Sequence, residues 1–154
     1  MIRPMRPEEE RKVRELAHLC HPGWKLKPAG WYIAMPTLVR SAARDRVVGS
    51  TSFYVSWPPS KDWVTSEYVM WGYDVCVHPD ARGKGLGQEL CEARFRLAKD
   101  IGLRFFIGMT WPSNAAMLRI FERLGCHQSP ERIAGAYPEN PRPDQIGLMF
   151  TKGL

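Results

Sequence analysis

The residues best suited to chemistry lie in one short run, from Arg82 to Gly87. The run holds three alternate glycines, Gly83, Gly85 and Gly87, and Lys84 stands between the first two. Glycines let the main chain turn sharply and let a ligand approach it without meeting a Cβ atom. Free N–H groups at the start of a helix, with the positive end of its dipole, attract phosphate oxygens. The run therefore predicts an anion site built from backbone, to which Arg82 and Lys84 add positive charge.

Two common nucleotide-binding patterns do not fit this run. A Walker loop needs Gly-Lys followed by Ser or Thr, whereas Gly85 follows Lys84. A dinucleotide-binding fingerprint needs G-x-G-x-x-G and an acid about 20 residues further on, and neither is present. What remains is R-x-x-G-x-G from Arg82 to Gly87. A plain glycine turn that caps a helix is the competing interpretation.

A strand and a helix must hold this turn in place. The strand is predicted over Glu67–Val77, because apolar and aromatic residues alternate along it. The helix after the turn presents a single apolar stripe: Leu86, Leu90, Ala93, Leu97 and Ile101. Gly102 is the predicted end of that helix.

The rest of the chain also alternates between strands and helices. One helix is predicted from Glu8 to Pro22-Gly23, and its apolar face is Val13, Leu16, Ala17 and Cys20. Another begins after Pro112-Ser113-Asn114 and ends at Gly125. Further strands are predicted at Met1–Met5, Val39–Ala43, Val47–Trp57, Leu103–Thr110 and Gln145–Thr151, with long loops at Trp24–Pro36 and Ser129–Asp144. This order predicts an α/β or α+β domain around a mixed sheet.

Composition bounds the class of protein. Of the 154 residues, 44% are apolar and 25% charged, which is typical of a globular chain and not of a disordered or fibrous one. This is the length of one domain, so residues 1–154 are expected to form one. No apolar run reaches the ~20 residues of a membrane span. The N-terminus carries charges where a secretory signal needs an apolar stretch. We therefore expect a cytoplasmic protein without membrane contact.

The net charge of +6 favours an anionic partner, such as a phosphorylated cofactor or a nucleic acid. Because the charges are scattered, with no long run of like sign, nucleic-acid binding is the weakest hypothesis. The four cysteines show no C-x-x-C pairing. Side chains of the adjacent pairs Cys20-His21 and Cys126-His127 are expected to diverge, so no metal site is predicted.

Two segments resemble signatures of the GNAT superfamily of acyl-CoA-dependent N-acetyltransferases. Val75–Gly87 is similar to its pyrophosphate signature, V-x-V-H-P-x-x-R-G-x-G-x-G, in full. Asn114–Cys126 resembles its N-x-x-A-x-x-x-Y-x-x-x-G-F segment, and weaker echoes occur at Ile2-Arg3-Pro4 and Val47-Val48-Gly49. The resemblance implies an α/β (α+β) fold with a mixed, splayed central sheet of about six to seven strands and about four flanking helices. It also implies a homodimer, since members of the superfamily often dimerise.

The same resemblance implies acetyl-CoA as the cosubstrate and an amine as the acceptor. Backbone groups of the Val75–Val77 strand would pair with the pantetheine arm, as another strand would. The N–H groups from Gly83 to Gln88 would bind the pyrophosphate, and Asn114 would hold the pantetheine or its sulfur end. The full set of expected cofactor-binding residues is Val75, Cys76, Val77, Arg82, Gly83, Lys84, Gly85, Leu86, Gly87, Gln88 and Asn114.

The base that removes a proton from the acceptor amine is the first open question. Asp74 is the first candidate, because it adjoins the cofactor strand, and Glu67 is the second. Alternation turns Asp74 away from Val75 and Val77, so a solvated strand residue is the competing interpretation. His78 is interpreted as a turn residue.

The acid that protonates the departing thiolate is the second open question. In many members of the superfamily a tyrosine of the second motif serves, but Phe121 stands there in this chain. Tyr73 and Tyr137 are the candidate replacements, although a core or interface aromatic is the alternative for each. A catalytically silent acyl-CoA-binding module is therefore the alternative to an N-acetyltransferase. Four tryptophans are candidates for an acceptor pocket, with core packing as the alternative: Trp24, Trp31, Trp57 and Trp63.

Overall fold

Seven strands make up the sheet in the computed structural model, which describes residues 1–42, 46–57, 67–133 and 146–154. They are β1 (Ile2–Pro4), β2 (Thr37–Ser41), β3 (Val47–Ser56), β4 (Val69–Val77), β5 (Phe105–Thr110), β6 (His127–Ile133) and β7 (Gly147–Gly153). Their spatial order is β1-β2-β3-β4-β5-β7-β6, and every neighbouring pair is antiparallel except β4 and β5. The predicted mixed sheet is confirmed.

Within the described residues, four helices cover the two faces of the sheet. They are α1 (Glu10–Cys20), α2 (Trp31–Ala34), α3 (Leu86–Asp100) and α4 (Ala115–Arg123). A 3-10 turn at Pro7–Glu9 precedes α1, since proline and acidic residues suit the start of a helix. Gly102 and Gly125 follow α3 and α4 with φ of 82° and 67°, the left-handed conformation that ends a helix.

Adjacent residues of β4 point to opposite faces of the sheet. Cys76 packs with Val13 and Leu16 of α1, whereas Val75 packs with Leu86 of α3. The α3 and α4 side also holds an aromatic core of Phe95, Phe106, Phe121 and Phe150. The interior of the sheet is therefore covered by α1 and α2 on one face and by α3 and α4 on the other.

The two parallel strands separate at the centre of the sheet. In the described residues β4 and β5 pair only at Met70–Phe106 and Trp71–Ile107, although β4 continues to Val77. The last residues of β4 remain paired with β3 on their other side. The splay confirms the predicted V-shaped opening and leaves one edge of β4 without a neighbouring strand.

Several boundaries differ from the sequence expectation. Strand β6 begins at His127, so the first part of the predicted 129–144 loop is strand, and the loop predicted over Trp24–Pro36 contains α2. Strand β6 is held in the sheet by its pairing with β7. A proline-rich sequence gives no local signal of that pairing. The predicted turn at 44–45, the strand end at 58–60, Trp63 and Tyr137 lie outside the described residues. No helix among the described residues is both long and apolar enough to cross a bilayer.

Candidate active site

The turn between β4 and α3 presents a row of free N–H groups. Gly83 and Gly85 have φ of 75° and 80°, a conformation that glycine adopts without strain. The N–H groups from Gly83 to Gln88 find no hydrogen-bond acceptor within the described residues. They also lie at the start of α3, where the helix dipole is positive. These free N–H groups lie where the sequence predicts a backbone anion site.

A cavity of about 420 Å³ opens over this turn. Its lining combines the turn with the exposed edge of β4 and the start of α4, and includes Val75, Val77, Gly85, Gln88, Asn114 and Ile120. Arg82 lines it as well, and its Nε donates to the carbonyl of Val77 at 3.0 Å. Gly87 faces Ile120, whose Cδ1 would lie 3.1 Å from an added Cβ. The cavity therefore joins the anion site to the splay.

Main-chain groups of β4 alternate between β3 and the splay. The N–H of His78 donates to the carbonyl of Val48 on β3, so Cys76 also turns its backbone towards β3. Val75 and Val77 then turn theirs towards the gap. The expectation that Cys76 offers its backbone to the cofactor is therefore wrong, because its main-chain groups belong to the β3 ladder.

A bulge interrupts the ladder one residue before Val75. Thr51 is opposite Val75 and Ser52 is opposite Tyr73, which leaves Asp74 unpaired with a φ of 38°. The Thr51 hydroxyl donates to the carbonyl of Asp74 at 2.8 Å and fixes this conformation. A positive φ at a residue other than glycine is strained, and such strain is concentrated at functional sites.

The carboxylate of Asp74 is held under α1 and α2 and is not solvated. Its Oδ2 accepts a 3.0 Å hydrogen bond from the Tyr32 hydroxyl, and its Oδ1 lies 3.4 Å from Nε2 of His21. The side chain is only 9% exposed. Burial, and then the charge of Asp74, raise the pKa of Tyr32 above its usual range, so the hydroxyl remains a donor. The competing interpretation of Asp74 as a solvated residue is therefore wrong.

His21 follows the last residue of α1 and faces both the cavity over the glycine turn and Asp74. Its ring stacks on Trp24 at 4.5 Å, and Trp111, which follows β5, lies 6.3 Å away edge-on. Sequence reasoning missed the role of His21 beside Asp74. A signal was present, because His21 lies four residues after Ala17 and eight after Val13 and so continues the apolar stripe of α1.

The segment before α2 is fixed to α1 by a buried carboxylate. Glu10 accepts hydrogen bonds from the N–H of Gly30 at 3.0 Å and of Tyr32 at 3.1 Å. These contacts set the position of the Tyr32 ring, whose hydroxyl binds Asp74. The corner between α1 and β4 is therefore assembled from side chains of three separate segments.

A second cavity, of about 230 Å³, lies in the splay next to this corner. It shares part of its lining with the first cavity: His21, Val75, Trp111, Asn114 and Met117. Asp74, Tyr73 and Trp24 line it towards α1, and Gly72, Gly108, Arg94 and Phe121 line it towards α3 and α4. The two cavities together form one path from the glycine turn to the His21–Asp74 pair.

The cysteine pair at this corner departs from expectation. Cys20 and His21 do not diverge, because both line the first cavity: Sγ of Cys20 donates to the carbonyl of Val77 at 3.4 Å, and Nε2 of His21 lies 3.7 Å from Sγ of Cys76. The interaction between the two thiols lowers the pKa of Cys20 and raises that of Cys76. His21, Asp74 and Cys76 thus bring three ligand-type atoms within 4.8 Å of one another. The absence of a metal stays a prediction.

Comparison with known proteins decides the family. The model of the acetyltransferase (GNAT) family matches residues 4–126. The chain belongs to this family. Two curated relatives are the L-methionine sulfoximine/L-methionine sulfone acetyltransferases of Pseudomonas paraeruginosa and Pseudomonas aeruginosa, each 36% identical over 120 residues. That alignment covers 77% of this chain, which spans about 60% of the length of those relatives.

Solved structures of other acetyltransferases share the fold. Arabidopsis thaliana NAA60 in complex with a bisubstrate analogue has a TM-score of 0.82 at 12% identity, and covers 99% of this chain and 97% of its own. The putative acetyltransferase yncA from Salmonella typhimurium, with its cofactor acetyl-CoA, has a TM-score of 0.75 at 21% identity, with 100% and 93% covered. Both therefore share the overall fold of this chain.

The second motif of this GNAT chain lies beside the splay. Asn114 caps α4, its Oδ1 accepting from the N–H of Met117 at 3.2 Å and its Nδ2 donating to Oγ1 of Thr110 at 3.0 Å. Phe121 is 2% exposed and stacks on Phe150 at 4.6 Å. Its ring lines the second cavity, so the position of the missing tyrosine faces the site.

The remaining candidates separate clearly. Tyr73 lines the second cavity, and its hydroxyl accepts from Nζ of Lys27 at 3.0 Å. Glu67 does not belong to the site, because its carboxylate is bound to Arg104 on the exposed surface, which lowers its pKa. His78 begins the 3-10 turn Pro79–Ala81 and accepts from the N–H of Asp80, as predicted for a turn residue.

The tryptophans divide between the site and the surface. Trp24 lines the second cavity, and Trp31 packs against Tyr73 with ring centroids 5.2 Å apart. Trp57 is 55% exposed and packs on Tyr68, away from both cavities. Trp111, which the sequence did not single out, lines both cavities.

Proposed function

We propose that this chain transfers the acetyl group of acetyl-CoA to a primary amine of a small-molecule or peptide acceptor, by direct attack in a ternary complex. One observation carries the proposal: the two cavities meet at Val75 and His21, beside an unpaired strand edge and a buried carboxylate. A cofactor that enters along the edge then presents its thioester to the His21–Asp74 pair.

The cofactor would be held mostly by backbone. The free N–H groups of the glycine turn receive the diphosphate, and Arg82 and Lys84 add charge. The carbonyl of Val75 and the N–H of Val77 pair with the pantetheine arm as a neighbouring strand would. Asn114, fixed by its helix cap, lines the path where the sulfur end lies.

His21 and Asp74 would act together as the base. An alkylamine with a pKa near 10.4 is neutral in only about one molecule in 2,500 at pH 7, so a proton must be removed before attack. Nε2 of His21 faces Asp74, which orients the ring and stabilises the imidazolium that forms. Asp74 is itself fixed by Tyr32 and by the bulge.

The remaining steps use backbone and a tyrosine. The amine nitrogen attacks the thioester carbon, and the N–H of Val75, which turns into the splay, stabilises the oxyanion. The C–S bond then breaks and CoA leaves as the thiolate. Tyr73 is the proposed proton donor to the thiolate, with Lys27 supplying a proton to its hydroxyl. No step requires a metal ion.

The acceptor site would lie between Asp74 and an aromatic wall. Trp24 and Trp111 lie 6.0 Å apart beside the His21 ring, and aromatic faces with a nearby carboxylate suit an ammonium group. The printed activity of the Pseudomonas relatives makes L-methionine sulfoximine and L-methionine sulfone the first acceptors to test. A homodimer stays a prediction, which light scattering on the purified chain can test.

The test is release of CoA thiol from acetyl-CoA across a panel of amines, with the acetylated product identified by mass spectrometry. The panel contains the two methionine derivatives, free amino acids, polyamines and short peptides. Turnover of one amine supports the proposal. Tight CoA binding without turnover of any amine would instead favour the silent module, and failure to bind CoA would refute both.

A further inference from the structure

Arg94 is a buried cation that the proposed mechanism does not use. It lies in the middle of α3 and is only 2% exposed. Its side chain reaches the wall of the second cavity, on the face of the sheet opposite to His21 and Asp74. An arginine is almost never fully buried unless it is paired, so its surroundings require an account.

None of the partners of Arg94 carries a negative charge. Its Nη1 donates to the carbonyls of Ser52 and Tyr73 at 3.3 and 3.4 Å, and its Nη2 to Sγ of Cys91 at 3.4 Å. The guanidinium lies 5.2 Å from the centre of the Phe106 ring, and its buried Nε has no partner in the described residues. The two hydrogen bonds to carbonyl oxygens are long, and no ion pair within the described residues involves this side chain.

Two glycines let Arg94 and Phe121 pack closely against the strands that line the second cavity. A Cβ added at Gly72 would lie 2.6 Å from Nη1 of Arg94, and one added at Gly108 would lie 2.7 Å from Cζ of Phe121. Gly72 belongs to β4 and Gly108 to β5, so they line the narrow end of the splay from its two sides. A side chain at Gly72 would displace Arg94 or Phe106, and one at Gly108 would displace Phe121 or Phe106.

We propose that Arg94 binds a carboxylate at the far end of the acyl group. The protein would then accept CoA thioesters of dicarboxylic acids, such as succinyl-CoA. The inference rests on the proposed acyl transfer and adds a second class of donor to acetyl-CoA. The amine attacks from the His21–Asp74 face, so an acyl chain that extends beyond the thioester carbon points to the narrow end of the splay. An anion on the acceptor would remain on the other face.

The chemistry of this transfer is the same as for acetyl. The acceptor nitrogen forms a bond to the thioester carbon, the C–S bond breaks, CoA leaves as the thiolate, and the amine proton passes to the His21–Asp74 pair. The distal carboxylate is unchanged and only pairs with Arg94. A guanidinium–carboxylate pair is strongest when it is bidentate and out of water, and Arg94 lies in that environment.

The test compares succinyl-CoA with butyryl-CoA, which has the same number of acyl carbons and no charge. In the native protein, kcat/KM for succinyl-CoA is expected to exceed that for butyryl-CoA by about tenfold or more. Arg94→Met should abolish this preference and leave turnover of acetyl-CoA, whereas Arg94→Lys should keep part of it. Arg96→Met, on the exposed side of the same helix, is the matched control and should keep the full preference.

Outcomes separate this inference from the proposed function. A native protein that uses butyryl-CoA as well as succinyl-CoA overturns the inference, and so does an Arg94→Met variant that loses all donors equally. If no amine is acylated by any donor, the Kd values of succinyl-CoA and butyryl-CoA, measured by calorimetry, test the role of Arg94 instead. A tighter Kd for succinyl-CoA then supports Arg94 although the proposed acyl transfer fails. Should Arg94→Met not fold, the native donor ratio and Arg94→Lys give the answer.

Discussion

The turn at the start of α3 and the corner between α1 and β4 form the two ends of one path, but they are constructed differently. The turn uses consecutive residues, 83 to 88, and main-chain N–H groups. The corner uses side chains from the end of α1, from α2 and from the bulge of β4, which are far apart in the sequence. The first region depends on backbone conformation and the second on how the fold places side chains.

This difference separates the effects expected from mutation. A side chain added at the turn changes φ and ψ preferences, and so affects cofactor affinity. A side chain removed at the corner leaves the glycine turn complete and affects the reaction. Variants at the two ends should therefore divide cleanly between KM for acetyl-CoA and kcat.

The largest effect is expected at His21. His21→Gln retains a polar side chain but removes the basic nitrogen, so kcat should fall roughly 10²–10⁴-fold, the usual contribution of a general base. The Kd for CoA should not change, because the glycine turn is untouched. Steady-state kinetics with calorimetry would measure both. The control is His127→Gln in β6, where the ring is exposed and far from the site. If His21→Gln retains the native kcat, His21 is not the base.

A smaller effect is expected at Gly85, where φ is 80° and an added Cβ would meet nothing within 4 Å. Gly85→Ala therefore introduces backbone strain alone, roughly 1–2 kcal/mol. The altered turn should raise the Kd for CoA by about tenfold. Gly102→Ala is the matched control, because its φ is 82° and its Cβ position is equally open. It should lower the melting temperature without changing the Kd, and equal losses of affinity in both variants would contradict the backbone account.

The turn was predictable from sequence because its chemistry needs only neighbours. Three alternate glycines before an amphipathic stripe specify a turn and a helix start, and these specify free N–H groups. The splay followed from the resemblance of the same segment to the GNAT signature. Only one detail could not be predicted: the register between β3 and β4, in which the main-chain groups of Cys76 pair with β3.

The corner could not be predicted in the same way, because tertiary packing creates it. Alternation correctly turned Asp74 away from Val75, but no local pattern shows that Tyr32 and His21 cover that face. The bulge that isolates Asp74 depends on the pairing of β3 with β4. Cys20 and His21 were expected to diverge, but both line the first cavity, and His21 lies beside Cys76.

The attachment of α1 to the sheet gives a prediction about pH. Bidentate hydrogen bonds from Arg3, at 2.7 and 2.6 Å, and the N–H of Arg6 lower the pKa of Glu9 from 4.5 to about 2. A lowered pKa means that the ionised carboxylate stabilises the folded state. That contribution is complete above pH 4.5 and is lost as the pH falls towards about 2.

Glu9→Gln tests this attachment. The variant should lose about 1.5–3 kcal/mol of unfolding free energy at neutral pH, the range for hydrogen bonds to charged groups. Between pH 4.5 and 2 its stability should fall less steeply than that of the native protein. Urea unfolding at a series of pH values measures both. Parallel acid profiles for the two proteins would show that Glu9 does not hold α1, and hence the corner, to the sheet.

The smallest effect is expected at Phe121, which lines the second cavity. Phe121→Tyr places a hydroxyl beside Gly108, facing the cavity, at the position of the superfamily's usual acid. Because a thiolate is an adequate leaving group and the proposed mechanism has Tyr73 as its donor, kcat should rise by no more than a few-fold. The comparison with Phe150→Tyr, which lies in the same aromatic stack but does not line either cavity, separates catalysis from packing. A native chain that is inactive towards every amine, made active by Phe121→Tyr alone, would contradict this account and make the loss of the tyrosine the reason for a silent site.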